Sequence, residues 1–173
     1  MRRHWIVLLL AMTACVAKES APASTDSSAA ATALAELDSN CERWIANAST
    51  DSLVNGFFTS DAVFAANSPA ATGREAIGKA FGELTRTGMV RIQLTKQLLR
   101  VADTLASEQG TYILQVLPKS PGDTTKPLLS DHGTYVTTFV KRSGEWRALY
   151  DIAVTSATPP APPTPPASAK TTR

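Results

Sequence analysis

Leu34, Leu37, Cys41, Trp44, Ile45 and Ala48 recur three or four positions apart, with Glu36, Asp38, Glu42 and Arg43 mostly between them. That spacing gathers the apolar side chains into one stripe and predicts an amphipathic first helix lying across another layer. Asp51 or Thr50 can cap a short second helix running through Phe57 and Phe58, and Asp61 to Ala66 reads as a short strand. Thr72-Gly73-Arg74-Glu75 has the form of a capping box, in which the Thr hydroxyl accepts from an early helical amide and the Glu carboxylate reaches back. A third helix follows to about Arg86, burying Ala76, Ile77, Ala80, Phe81 and Leu84, and Gly88 ends it.

From Val90 the period falls toward two, which predicts strands over 90–101, 104–117, 132–142 and 145–155. Ser143-Gly144 supplies a tight hairpin turn, whereas Lys119 to Ser130, with Pro121, Gly122, Asp123 and Pro127, reads as a longer loop. Helices first and sequential strands afterwards predict an α+β fold with an antiparallel sheet.

The flanks carry no such periodicity. Residues 1–17 have the order of a signal peptide: Arg2 and Arg3, an apolar run from Trp5 to Met12, then small residues around Cys15. The run is too short to cross roughly 30 Å of hydrocarbon, so it reads as a cleaved export signal. Residues 18–30 are small and polar and read as a flexible tether, and 157–173, with prolines crowded between 159 and 166, as a disordered tail. The expected domain is 31–156.

At 173 residues and 43% hydrophobic content, the chain can build one ordinary core. The net charge of +2 falls to near zero once Arg2 and Arg3 are removed, which argues against a phosphate-neutralising stripe and hence against nucleic-acid binding. Arg86, Arg91, Lys96 and Arg100 are interrupted by Leu94 and Leu98 and read as a solvated sheet edge. Gly73 and Gly78 lack the spacing and the Lys-Ser/Thr ending of a phosphate loop. Only Cys15 and Cys41 are present, which argues against a disulfide framework; a Cys15–Cys41 bridge is the competing reading, but Cys15 sits beside a flexible leader and Cys41 falls on the apolar stripe, where it reads as a small buried hydrophobe. His132 is the only histidine beyond the export signal, so neither a multi-histidine metal site nor a histidine-paired nucleophile has its parts, and no cofactor is called for.

Two resemblances join this reading. Met12-Thr13-Ala14-Cys15 resembles the lipobox of bacterial lipoproteins, which implies acylation at Cys15 and a lipid-anchored protein of the cell envelope. Trp44, Asp61-Ala-Val-Phe64, Gly73-Arg-Glu-Ala-Ile77, Gly110-Thr-Tyr112, Gly133-Thr-Tyr-Val136 and Gly144-Glu-Trp146 followed by Asp151 are together similar to the nuclear-transport-factor-two-like superfamily. Its small, ketosteroid-isomerase-like and polyketide-cyclase-like uncharacterised members are the nearest in pattern. The resemblance spans about 34–156 and implies a cone-shaped α+β barrel. Three N-terminal helices would pack on a curved, mostly antiparallel sheet, with a cavity at one end and homodimers paired through the outer sheet face. It also implies Trp44, Phe58, Tyr112, Tyr135 and Asp151 as residues of a ligand cavity.

An isomerase-type site needs a carboxylate base in an apolar pocket and a donor for the developing oxyanion. Asp151 is the candidate base, with Tyr112 or Tyr135 as donor. Strict alternation sets Leu149, Asp151 and Ala153 opposite Trp146, Ala148, Tyr150 and Ile152, a relation that a bulge would reverse. Asp61 and Asp103 read as turn or cap residues, His132 as a rim residue, and Arg74 as one arm of an internal ion pair. Three functions stay open: a small-molecule binding or accessory domain, an Asp-dependent isomerase or cyclase, and a protein-interaction module.

Overall fold

The computed structural model describes residues 25–66, 69–120 and 126–156. The signal segment, the lipobox at Cys15, the tether to 24 and the tail from 157 lie outside the described residues. Among the described residues three helices, α1 (Thr25–Ala46), α2 (Thr50–Gly56) and α3 (Gly73–Thr87), pack on six strands. The strands are β1 (Phe58–Ala66), β2 (Ala71–Thr72), β3 (Met89–Ala102), β4 (Leu105–Leu117), β5 (Leu129–Arg142) and β6 (Glu145–Thr155). They form one curved sheet in the order β2-β1-β6-β5-β4-β3, antiparallel throughout except for the parallel β1–β6 pair. The expected α+β cone is therefore observed, with its sheet left open between β2 and β3.

Several local expectations shift. α1 begins at Thr25 rather than near 31, because the run Ala29-Ala30-Ala31 favours helix and Ala30 extends the buried stripe of Leu34, Leu37, Cys41 and Ile45. α2 stops at Gly56, so Phe57 and Phe58 leave the helix; both side chains are buried, and Phe58 opens β1. The cap position of α2 is Ser49, and neither Thr50 nor Asp51 takes it. Thr72 does occupy the cap position of α3, but its hydroxyl makes no capping bond. Arg74 instead donates from Nε and Nη2 to the Phe58 carbonyl at 3.1 and 2.7 Å, which ties the start of α3 to β1 and replaces the expected ion pair. β5 begins at Leu129, three residues before the predicted strand, and the two-residue β2 had no sequence signal.

Two bulges decide which residues face the concave side. On β3 the register jumps between Lys96 and Leu98, leaving Gln97 unpaired. Val90, Ile92 and Leu94 point inward before the bulge, so Lys96 joins them, while Leu99 and Val101 resume the inward phase after it. On β6 the jump falls at Leu149, so that Trp146 and Ala148 on one side of it, and Asp151 and Ala153 on the other, all face the interior. The core beneath the sheet is built from Leu34, Leu53, Phe58, Ile77, Val116 and Phe139, all with 2% or less of their surface accessible. The edge strand β3 leaves an amide unpaired at Leu94, and Glu42 of α1 accepts it at 2.7 Å.

Candidate functional site

Between α1, α3 and the concave face of the sheet lies a cavity of about 360 Å³. One wall is aromatic: Phe57, Phe58, Phe64 and Phe81 meet edge-on or tilted, with ring centroids 5.0 to 6.4 Å apart in successive pairs. Leu84, Ile92, Leu94 and Leu114 complete the apolar lining, and Cys41 opens onto it from α1. Burial pushes the Cys41 thiol well above its ordinary value, with the carboxylates of Asp151, Asp38 and Glu42 adding to the shift. That makes Cys41 an inert surface rather than a nucleophile.

The polar side of the cavity comes from two copies of one short pattern. Residues 108–112 read Glu-Gln-Gly-Thr-Tyr and residues 131–135 read Asp-His-Gly-Thr-Tyr. On adjacent strands β4 and β5 they run antiparallel in register, so that Gly110 faces Tyr135, Thr111 faces Thr134 and Tyr112 faces Gly133. Each ring lies over the opposite glycine: a Cβ on Gly110 would sit 2.7 Å from Tyr135 Cε1, and one on Gly133 would sit 2.9 Å from Tyr112 Cε1. Lying flat in this way, each hydroxyl reaches the acid of the other copy. Tyr135 donates to Glu108 Oε1 at 2.7 Å, and Tyr112 donates to Asp131 Oδ2 at 2.8 Å.

Glu108 has no accessible surface, and its second oxygen lies 3.1 Å from the Lys96 ammonium. Lys96 also reaches Asp38 Oδ2 of α1 at 3.3 Å, so one ammonium is shared by two carboxylates. Burial drives the Asp38 carboxyl up to about 7, Glu108 adds to the rise, and Lys96 opposes it. Burial alone would lower Lys96, but Glu108 and Asp38 outweigh that and raise it. Tyr135 is pushed above the ordinary phenol range by burial and by the Glu108 carboxylate that it serves. At Asp131 burial is outweighed by donors from Thr155, Tyr112 and the His132 amide, and its carboxyl is lowered.

Asp151 stands apart. It lines the cavity from β6, accepts a hydrogen bond from Thr137 Oγ1 at 2.9 Å, and has no ion-pair partner among the described residues. Burial raises its carboxyl to about 6, the Thr137 bond works against that, and Glu108 adds to it. A carboxyl that binds its proton more tightly when folded than its ordinary 3.8 makes the fold most stable at low pH. Stability from this group is fully present below about pH 4, falls as the pH rises through 4 to 6, and is absent above. Because Asp151 keeps part of its surface accessible, the loss is on the order of 1–3 kcal/mol. Urea midpoints at pH 4.5 and 7.5 should therefore differ less in Asp151→Asn than in the parent chain, with Asp38 still supplying a fall in the same direction. Equal slopes in the two proteins would contradict the burial of this charge.

The structure thus brings Phe58, Tyr112, Tyr135 and Asp151 to one cavity, while Trp44 lies elsewhere. Its ring packs over Gly56 of α2, where an added Cβ would be only 2.4 Å away. Asp61 is held in a two-bond ion pair with Arg142 at 2.8 and 3.2 Å on the exterior, which lowers its carboxyl to about 2. Asp103 takes the left-handed turn conformation (φ 51°) between β3 and β4, and His132 is exposed on the outer face. Sequence reading placed Lys96 on a solvated edge and passed over Asp38 and Glu108. For Glu108 the signal was its place in the inward phase of Ala106, Gly110 and Tyr112.

This architecture recurs in solved structures. A protein of unknown function from Mycobacterium tuberculosis superposes with a TM-score of 0.69 at 19% identity, over 79% of this chain and 78% of that one. An NTF-2 like protein of unknown function from Shewanella oneidensis superposes at 0.60 and 12% identity, over 72% and 98%. The chain has the nuclear-transport-factor-two-like fold. A ketosteroid isomerase-like protein from Erwinia carotovora atroseptica shares this fold at a TM-score of 0.60 and 12% identity, over 73% and 96%. No protein-family model and no curated protein matches the sequence. The nuclear-transport-factor-two-like fold hosts many activities, so function rests on the cavity itself.

Proposed function

We propose that this is an exported, lipid-anchored domain that holds a small, largely apolar molecule in its cone cavity, with Asp151 orienting the ligand's polar end. The observation that carries the reading is a preformed apolar cavity of about 360 Å³ whose Asp151 carboxylate accepts one hydrogen bond, from Thr137, and has no ion-pair partner among the described residues. Anchoring rests on the sequence alone, from the apolar leader and Cys15. Among the described residues no helix is long and apolar enough to cross a membrane.

Binding is favoured over proton transfer because neither cavity tyrosine is placed as an oxyanion donor. Both cavity tyrosines already donate, Tyr135 to Glu108 and Tyr112 to Asp131, so neither hydroxyl proton is aimed at a ligand oxygen beside Asp151. The outer sheet face supports a second copy as partner, since Val136 and Ile152 pair across β5 and β6 beside Val154 and all three are 44–57% accessible. Native mass spectrometry decides that point, and a monomer would remove the pairing from the account.

The cavity reading is tested with N-phenyl-1-naphthylamine, a neutral apolar dye that brightens in dry surroundings. The chain should bind it saturably and one to one. Ala153→Phe, which projects a ring into the cavity from β6, should weaken binding at least tenfold without unfolding the protein. Unchanged binding in that variant would place the dye elsewhere and sink the proposal.

A further inference from the structure

The cavity has a sign. Its charged lining consists of Asp38, Asp131 and Asp151, and among the described residues no lysine, arginine or histidine lines it. Among the described residues the one ammonium paired with a lining carboxylate is that of Lys96, which Asp38 shares with the buried Glu108. Among the described residues, Asp131 is satisfied by neutral donors from Tyr112, Thr155 and the His132 amide, and Asp151 accepts from Thr137. Among the described residues, four carboxylates therefore stand against one ammonium in and beside a cavity whose other walls are uncharged. An anionic ligand would meet uncompensated repulsion there, and a neutral one would leave Asp151 without a counter-charge.

We infer that the ligand is an organic cation: an amine with a compact apolar or aromatic body, its ammonium against Asp151 and its body among Phe58, Phe64 and Phe81. This rests on the cavity-binding reading and narrows it to one chemical class. An N–H donor with a formal charge fits Asp151 better than a hydroxyl because charge-assisted hydrogen bonds are roughly twice as strong as neutral ones. Ring faces beside a desolvated ammonium add cation–π attraction. The volume sets the scale. About 360 Å³ admits a body of one or two rings or a chain of some ten carbons, below a drug-sized upper bound of about 1,000 Å³.

Three probes of one length, decylammonium, decanol and decanoate, separate charge from burial. Titration calorimetry at pH 8, where both raised carboxyls are ionised, should give decylammonium at least about tenfold tighter binding than decanol, a difference of about 1.4 kcal/mol, and no measurable decanoate binding. In Asp151→Asn the decylammonium preference should fall to within about threefold while decanol affinity is kept. Decanol binding as tightly as decylammonium would overturn the inference and leave the cavity reading intact. A preference that survives Asp151→Asn would also overturn it, because recognition would then lie away from Asp151. Failure of all three probes would overturn both.

Discussion

Glu108→Ala should cost this fold roughly 3–5 kcal/mol, read as a lowered urea midpoint, although the residue reaches neither the surface nor the cavity lining. The side chain is wholly buried and holds two groups at once, the Tyr135 hydroxyl at 2.7 Å and the Lys96 ammonium at 3.1 Å. Truncation leaves a buried phenol without an acceptor and hands Lys96 to Asp38 alone. Glu108→Gln keeps a carbonyl for Tyr135 and loses only the charge, so its cost should be smaller, about 1–2 kcal/mol. The Asp38 carboxyl, raised partly by Glu108, should at the same time move down in both variants, which a carboxyl-resolved NMR titration would read. A loss below about 1 kcal/mol for Glu108→Ala would mean that the network is not what fixes β4 and β5 together.

Gly133→Val should be at least as damaging, at roughly 3 kcal/mol or more. A Cβ there would lie 2.0 Å from the Val154 carbonyl of β6, a backbone atom that cannot yield without breaking the β5–β6 ladder, and 2.9 Å from the Tyr112 ring. The side chain would push Tyr112 off the position from which it donates to Asp131. Gly82→Ala is the contrast: this α3 glycine has nothing within 4 Å of its Cβ position, so the change should stabilise by up to about 1 kcal/mol. Thermal melts of the two variants should move in opposite directions. A Gly133→Val melt within a few degrees of the parent would mean that the close Gly–Tyr packing is not required.

The order of elements was readable because the apolar period changes from helical to alternating near Val90, and because Ser143-Gly144 and the proline-rich loop punctuate the strands. The two bulges were not. Neither Gln97 nor Leu149 has a glycine or proline beside it, so nothing local marks where the inward phase slips; Lys96 closes the inward run of Val90, Ile92 and Leu94, and the slip just after it returns Leu99 and Val101 to the interior. Asp151 could be nominated as a candidate, but its facing depended on the Leu149 bulge. Glu108 was hidden among Ser107 and Gln109, where a glutamate reads as ordinary solvated strand. The repeated acid-x-Gly-Thr-Tyr pattern is plain in the sequence. Its meaning, that each tyrosine serves the acid of the other copy, exists only once β4 and β5 are in register. Trp44 shares the helical stripe with Cys41 and Ile45, yet it lies about 60° from Cys41 and about 100° from Ile45 around the axis of α1, which turns it toward Gly56 and away from the cavity.

The most direct measurement is where a bound apolar probe sits, read as intermolecular NOEs between N-phenyl-1-naphthylamine and the assigned chain. The account predicts contacts to the rings of Phe58 and Phe81 and to the Leu94 methyls, all on the cavity wall. Contacts confined to Val136, Ile152 and Val154 would show the dye on the exposed outer face of the sheet, and the cavity would then not be the binding site.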